Sequence, residues 1–125
     1  MAPEVAHYPY RAAIDAYGNG GFRFAGMSHK GSLLLLPSGV YAWDVTTPDG
    51  LAAISFGKVF AERSEIELLL LGMGAEMRLV EPPLRAAFSD AGIGLEPMST
   101  GSAARTYNVL LAEGRKVAAA LIAVD

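Results

Sequence analysis

The chain contains no cysteine, two histidines and one tryptophan, and only 18% of its 125 residues are charged. Without cysteine it can form neither disulfides nor thiolate metal sites, and it suits a reducing cytosol without requiring one. His7 and His29 lack the paired spacing of a zinc site, so both read as surface residues and no metal is expected. No long run of Lys or Arg occurs and the formal charge is −3. Nucleic acid is therefore not an expected partner, since tracking phosphates needs clustered cations. No stretch approaches the roughly 18–20 apolar residues of a membrane span. The first nine residues have no basic opening and no apolar core, so no secretory signal is read there. These absences make a cytoplasmic location the expectation.

What the chain does have is apolar mass, with 52% of its residues hydrophobic. At this length one domain is expected, and folding should remove roughly two-thirds of the unfolded chain's surface from water. An apolar excess of this size means either a sheet buried on both faces or apolar surface kept for a partner.

The organising stretch is residues 66–123. Ile66-Glu67-Leu68-Leu69-Leu70-Leu71 reads as a buried strand that breaks at Gly72-Met73-Gly74. Glu81-Pro82-Pro83 then opens a helix, with Leu84, Ala87, Phe88 and Ala91 on one face and Gly92 as its stop. Residues 93–98 return to the sheet, and Ser99 and Thr100 are both good N-caps for a helix running to about Glu113. Residues 116–124 form a strand apolar on both faces, which belongs inside the sheet. The order is β-α-β-α-β.

The first half predicts a β-meander. Residues 1–13, with Pro3 and Pro9, read as an irregular arm, and the globular domain spans 14–125. A strand is expected over 21–28, followed by a turn at His29-Lys30-Gly31 and an antiparallel partner at 32–36. A further short strand at 40–43 leads to the turn Thr47-Pro48-Asp49-Gly50. Residues 51–60 allow a short helix or an extended linker, Gly57 weakening the helix. Glu62, Arg63 and Glu65 read as a solvated turn. The fold class is thus α/β (α+β-like): a single domain with a mixed sheet, an N-terminal antiparallel meander and helices packed on the sheet.

Two turns could carry chemistry. Gly72-Met73-Gly74 ends a strand where open α/β sheets hold ligands, and glycine lets a ligand or backbone come close. It is no dinucleotide or phosphate-loop fingerprint, and tight-turn geometry is the competing explanation. Met98-Ser99-Thr100-Gly101 opens a helix whose free N–H groups could hold an anion, with Arg105 within reach; capping alone is the alternative. The candidate ligand-binding residues are therefore Gly72, Met73, Gly74, Ser99, Thr100 and Arg105. No catalytic residue emerges, because no nucleophile and base are paired, and no cofactor is expected. Trp43 reads as core, and the methionines as adaptable packing.

Several segments together resemble a known family: Ile14-Asp15-Ala16-Tyr17-Gly18-Asn19-Gly20-Gly21-Phe22-Arg23-Phe24, then Leu35-Leu36-Pro37-Ser38-Gly39-Val40 with Trp43, residues 67–74, Met98-Ser99-Thr100, residues 103–110, and Glu113-Gly114-Arg115-Lys116-Val117. In this order they look like a small domain family of unknown biochemical function, with bacterial and archaeal members, a mitochondrial complex I assembly-factor branch and adipogenesis-associated proteins. The resemblance runs from about Ile14 to the end of the chain. It implies a compact mixed-sheet α/β domain and supplies no established catalytic residues. Lacking an Arg/Ser-rich leader, the sequence is more similar to the bacterial members.

The leading expectation is a non-enzymatic interaction or assembly factor related to membrane-complex biogenesis. Its partners would be other proteins, membrane-complex subunits among them. The alternative is a small-molecule or anion binder, or an enzyme, using the rim at 72–74 and 99–105. Self-association as a homodimer is a third use for the apolar excess.

Overall fold

In the computed structural model, residues 7–125 are described. Three continuous apolar runs become the heart of one sheet: β4 (Ser32–Leu36), β6 (Leu68–Gly72) and β8 (Val117–Leu121). With β5 (Gly39–Trp43) and β7 (Gly94–Met98) they form five strands in the order β5-β4-β8-β6-β7. β6 runs parallel to both β7 and β8, while β4 is antiparallel to β5 and β8. Because β8 is central, covered on both faces and flanked on both sides, the absence of polar alternation in Val117-Ala118-Ala119-Ala120-Leu121 follows. Pro97 is tolerated in β7 because that strand lies at the sheet edge.

Side-chain alternation splits the leucines between two cores. On one face Leu34, Leu69, Leu71, Ala118 and Ala120 pack with Phe56, Val59, Leu84 and Phe88. These partners come from α1 (Gly57–Ala61), the 3-10 turn before it and α2 (Pro82–Asp90). On the other face Leu33, Leu35, Leu70, Ala119 and Leu121 meet Ala103, Ala104 and Tyr107 of α3 (Thr100–Ala112). Each fully buried leucine contributes roughly 1.5–3 kcal/mol. The register sets Ala119 beside Leu35 and Leu70, so small central residues leave room for α3 between bulky neighbours. To return from the edge strand β7 to central β8, the chain must cross β6, and α3 accordingly lies over β6 and β8.

The first half differs from the expected meander in its divisions. The segment at 21–28 is two strands, β2 (Gly21–Phe24) and β3 (Met27–Lys30), joined by Ala25 and Gly26 at φ of 49° and 75°. A two-residue turn with both φ positive matches strand twist, but alanine there gives no signal in the sequence. β1 (Ala16–Gly18), β2 and β3 form their own antiparallel sheet, with Phe22 and Phe24 buried toward α3. β4 therefore pairs with β5 and β8, and not with the strand before it.

The remaining expectations are resolved locally. Residues 51–60 are helical in part, with Gly57 at the start of α1, where its low propensity costs least. Trp43 is buried and donates from Nε1 to the Ser55 carbonyl at 2.8 Å. Glu62 is more than a solvated charge: its carboxylate accepts from the Ser38 amide at 2.9 Å and the Ser38 hydroxyl at 2.6 Å, closing the β4–β5 turn. The first six residues of the expected arm lie outside the described residues. Its later part is tied down, with Tyr8 bridging to Val40 and the Arg11 guanidinium donating to the Val117 carbonyl at 3.0 Å, and the Asn108 side chain holds the domain's first residue by bonding both the amide and the carbonyl of Ile14 at 2.8 Å.

Candidate functional site

The glycine turn after β6 and the start of α3 meet because β6 and β7 run parallel and end at the same rim. At this junction the protein uses its own polar groups. Ile122 donates to the Gly72 carbonyl at 2.9 Å, Met73 to the Met98 carbonyl at 2.9 Å, and Thr100 to the Gly74 carbonyl at 2.8 Å. The fully buried Thr100 hydroxyl donates to the Ile122 carbonyl at 2.6 Å and accepts from the Gly74 amide at 3.0 Å. One side chain thus links the ends of β6 and β8 to the start of α3. Gly72 is required by packing: a Cβ there would lie 2.9 Å from the Thr100 Cα and 2.9 Å from the Leu121 Cδ2. Gly74 is required by conformation, with φ of 103°.

The structure therefore brings together Gly72, Met73, Gly74, Ser99 and Thr100. Met73 is buried toward α2, and the Ser99 hydroxyl caps α3 by accepting from the Ser102 amide at 3.3 Å. Arg105 points elsewhere, its guanidinium donating to the Tyr17 hydroxyl and the Ser102 hydroxyl, each at 3.4 Å. The Tyr17 hydroxyl lies where a side chain on Gly101 would stand, so it is glycine that lets β1 approach α3.

Beside this junction the surface opens. A cavity of about 560 Å³ is lined by Thr46, Thr47, Gly74, Glu76 and Arg78 among others. A second, of about 370 Å³, lies between residues 48–51 and the segment leading into α2. Arg78 and Asp49 form an ion pair across the two segments. Next to that strut the loop leaves Met77 52% and Leu79 89% exposed. In the sequence Thr47-Pro48-Asp49-Gly50 reads only as a turn, and residues 75–80 carry no motif between the glycine turn and the helix. The available signal was the placing of two large apolar residues, Met77 and Leu79, around Arg78 in a segment too short to be an element.

The titratable groups with shifted behaviour lie away from this rim. His29 is pushed down by partial burial and by the nearby His7 charge, against the hydrogen bond to the Ser32 carbonyl that raises it. The His7 and His29 rings, distant in sequence, meet with centroids 4.5 Å apart. Burial pushes the Tyr107 hydroxyl up to about 12, with the Arg11 charge opposing. Among the described residues no group of three or more His, Cys, Asp or Glu could hold a metal ion, and no helix is long and apolar enough to cross a membrane.

The architecture is a single α/β domain in which helices and a small antiparallel sheet cover a five-stranded mixed sheet. The chain belongs to the family of proteins of unknown function designated DUF498/DUF598, which it matches over residues 14–122. It is 43% identical over 122 residues to an uncharacterized protein of Rhodobacter capsulatus, covering 98% of this chain and 93% of that one. It is 32% identical to mouse NADH dehydrogenase [ubiquinone] 1 alpha subcomplex assembly factor 3, covering 94% of this chain but only 63% of the mouse protein. Among solved structures, one described as an outer membrane protein from Bartonella henselae superposes with a TM-score of 0.91 at 50% identity, covering 95% of this chain and all of that one. The family resemblance and fold class read from the sequence are borne out.

Proposed function

We propose that this chain acts through protein contacts, as an assembly factor for membrane-associated complexes. The observation that carries the reading is its 32% identity to an assembly factor of NADH dehydrogenase. The surface that suits it is the loop holding Met77 and Leu79, braced by the Arg78–Asp49 pair. Large apolar side chains held on a braced segment gain free energy when a partner covers them, and isolated in water they gain none. Affinity capture of the tagged chain from its native cells should recover the same protein partners in replicate preparations. Recovery of none would remove the reading. Light scattering across a concentration series separates self-association from a partner of another kind.

A second reading is supported by Arg105. Its guanidinium is held beside the Tyr17 and Ser102 hydroxyls on the first turns of α3, a grouping of donors that suits a small anion beside Ser102, outside the closed junction at Thr100. Under this reading a metabolite at a hundred times its dissociation constant stabilises the protein by about 2.7 kcal/mol. Arg105→Ala should cancel that shift while leaving the unliganded melting temperature in place. A broad metabolite panel that moves the melting temperature nowhere would count against the rim as a ligand site.

A further inference from the structure

The three-stranded sheet has a second face, turned away from the core. Its register fixes which residues share it: Ala16, Arg23 and Ser28 in one row, Gly18, Gly21 and Lys30 in the next. The intervening residues Phe22 and Phe24 point the other way, into the core. All six outward residues line one concavity of about 320 Å³. Tyr17, Asn19, Phe22 and His29 complete its lining, and Gly18 and Gly21 add no side chain to it. At Gly21 a Cβ would collide with the His29 carbonyl, so the strands curl too tightly there for any side chain.

The charges around this concavity are of one sign. Ser28 lies directly across from Arg23, and Lys30 is two residues further along the same strand. The two cations are therefore diagonal neighbours on one face, with Cα positions roughly 7–8 Å apart. Neither side chain makes an ion pair or hydrogen bond among the described residues. Among the described residues no Asp or Glu lines the concavity, although the chain carries 13 acidic residues and a net charge of −3. Like charges on neighbouring strands repel and contribute nothing to folding. A negatively charged protein that keeps two of its ten cations together, without an ion pair among the described residues, at a concavity has a place where an anion is favoured.

We infer that this concavity binds a compact phosphomonoester. The phosphate oxygens sit between Arg23 and Lys30, where charge-assisted hydrogen bonds are strongest, and the organic body lies over Gly18 and Gly21. The volume is at the lower end of the range for small-molecule sites, which limits the ligand to something near a sugar phosphate in size. This inference does not rest on the partner surface at Met77 and Leu79, and either can fail alone.

The test is an amide-resolved NMR titration of the full chain with inorganic phosphate and with ribose 5-phosphate, against sodium chloride at matched ionic strength. Saturable shifts should appear at the Gly18, Asn19, Gly21 and Ser28 amides with both phosphate probes and not with chloride. Arg23→Gln combined with Lys30→Gln should weaken the apparent affinity about tenfold or more. Both residues are exposed, so the spectrum of the remaining chain should stay in place. Arg115→Gln, at the far end of α3, should bind as the wild type does. Equal shifts in chloride, shifts centred on Ser99 to Arg105 instead of the concavity, or undiminished affinity in the double variant would each overturn the inference.

Discussion

Two regions leave the end of β6 within a few residues of each other, and they treat their polar and apolar groups in opposite ways. At Gly72, Gly74 and Thr100 the amides and carbonyls that could face a ligand are taken up by the protein, and a missing Cβ is filled by a neighbouring backbone. At Met77 and Leu79 large apolar side chains are left in water. The first arrangement is what stability requires of a crossover that must close three elements onto one another. The second contributes nothing to the isolated fold. A glycine-rich strand end in this architecture serves packing first, while the connection beyond it leaves large apolar side chains exposed, as the 3-10 turn does at Ile54.

Substitutions can break this division, and the largest effect should come from the junction. Thr100→Val keeps the shape but leaves the Ile122 carbonyl and the Gly74 amide without their partner, and should lower the unfolding free energy by about 2–4 kcal/mol in urea melts. A loss below half a kcal/mol would mean the hydroxyl is dispensable. Gly72→Ala places a methyl against the Thr100 backbone, which cannot move as a side-chain end could; a loss of about 1–3 kcal/mol is expected.

Tyr107 sharpens the contrast, because it too buries a hydroxyl, but one with no hydrogen-bond partner among the described residues. Tyr107→Phe should therefore be neutral or stabilise by up to about 1 kcal/mol at pH 7. Its pH dependence has a definite sign. The folded hydroxyl is raised from 10.0 to about 12. The folded state thus favours the neutral form, and the stability linked to this group is fully present below pH 10 and falls as pH rises toward 12. That part of the alkaline loss should be missing in the phenylalanine variant. The smallest stability effect belongs to Met77→Ser with Leu79→Ser, within about 0.5 kcal/mol of the wild type, because Leu79 is almost wholly exposed and Met77 about half exposed.

Much of the fold was legible because its signals are local. Unbroken apolar runs marked β4, β6 and β8, Pro82 and Pro83 marked the start of α2, and Ser99 marked the start of α3. The split of the first half into two sheets was not legible. It depends on Ala25 adopting a positive φ and on β8, some ninety residues later, taking the place beside β4. The candidate residues at the rim could be gathered from sequence because parallel strands end together. Which of their groups were already used could not, since the Thr100 hydroxyl finds the Ile122 carbonyl only after β8 is in place. The exposed loop, the Arg78–Asp49 strut and the concavity over Gly21 all arise from long-range placement and carry no motif.

The most direct test of the account is quantitative affinity capture from native cells with three forms of the chain: wild type, Gly72→Ala, and Met77→Ser with Leu79→Ser. Folded Gly72→Ala should recover the wild-type partners, and the loop variant, with its stability unchanged, should lose them. Partners retained by the loop variant, or none recovered by the wild type, would contradict it.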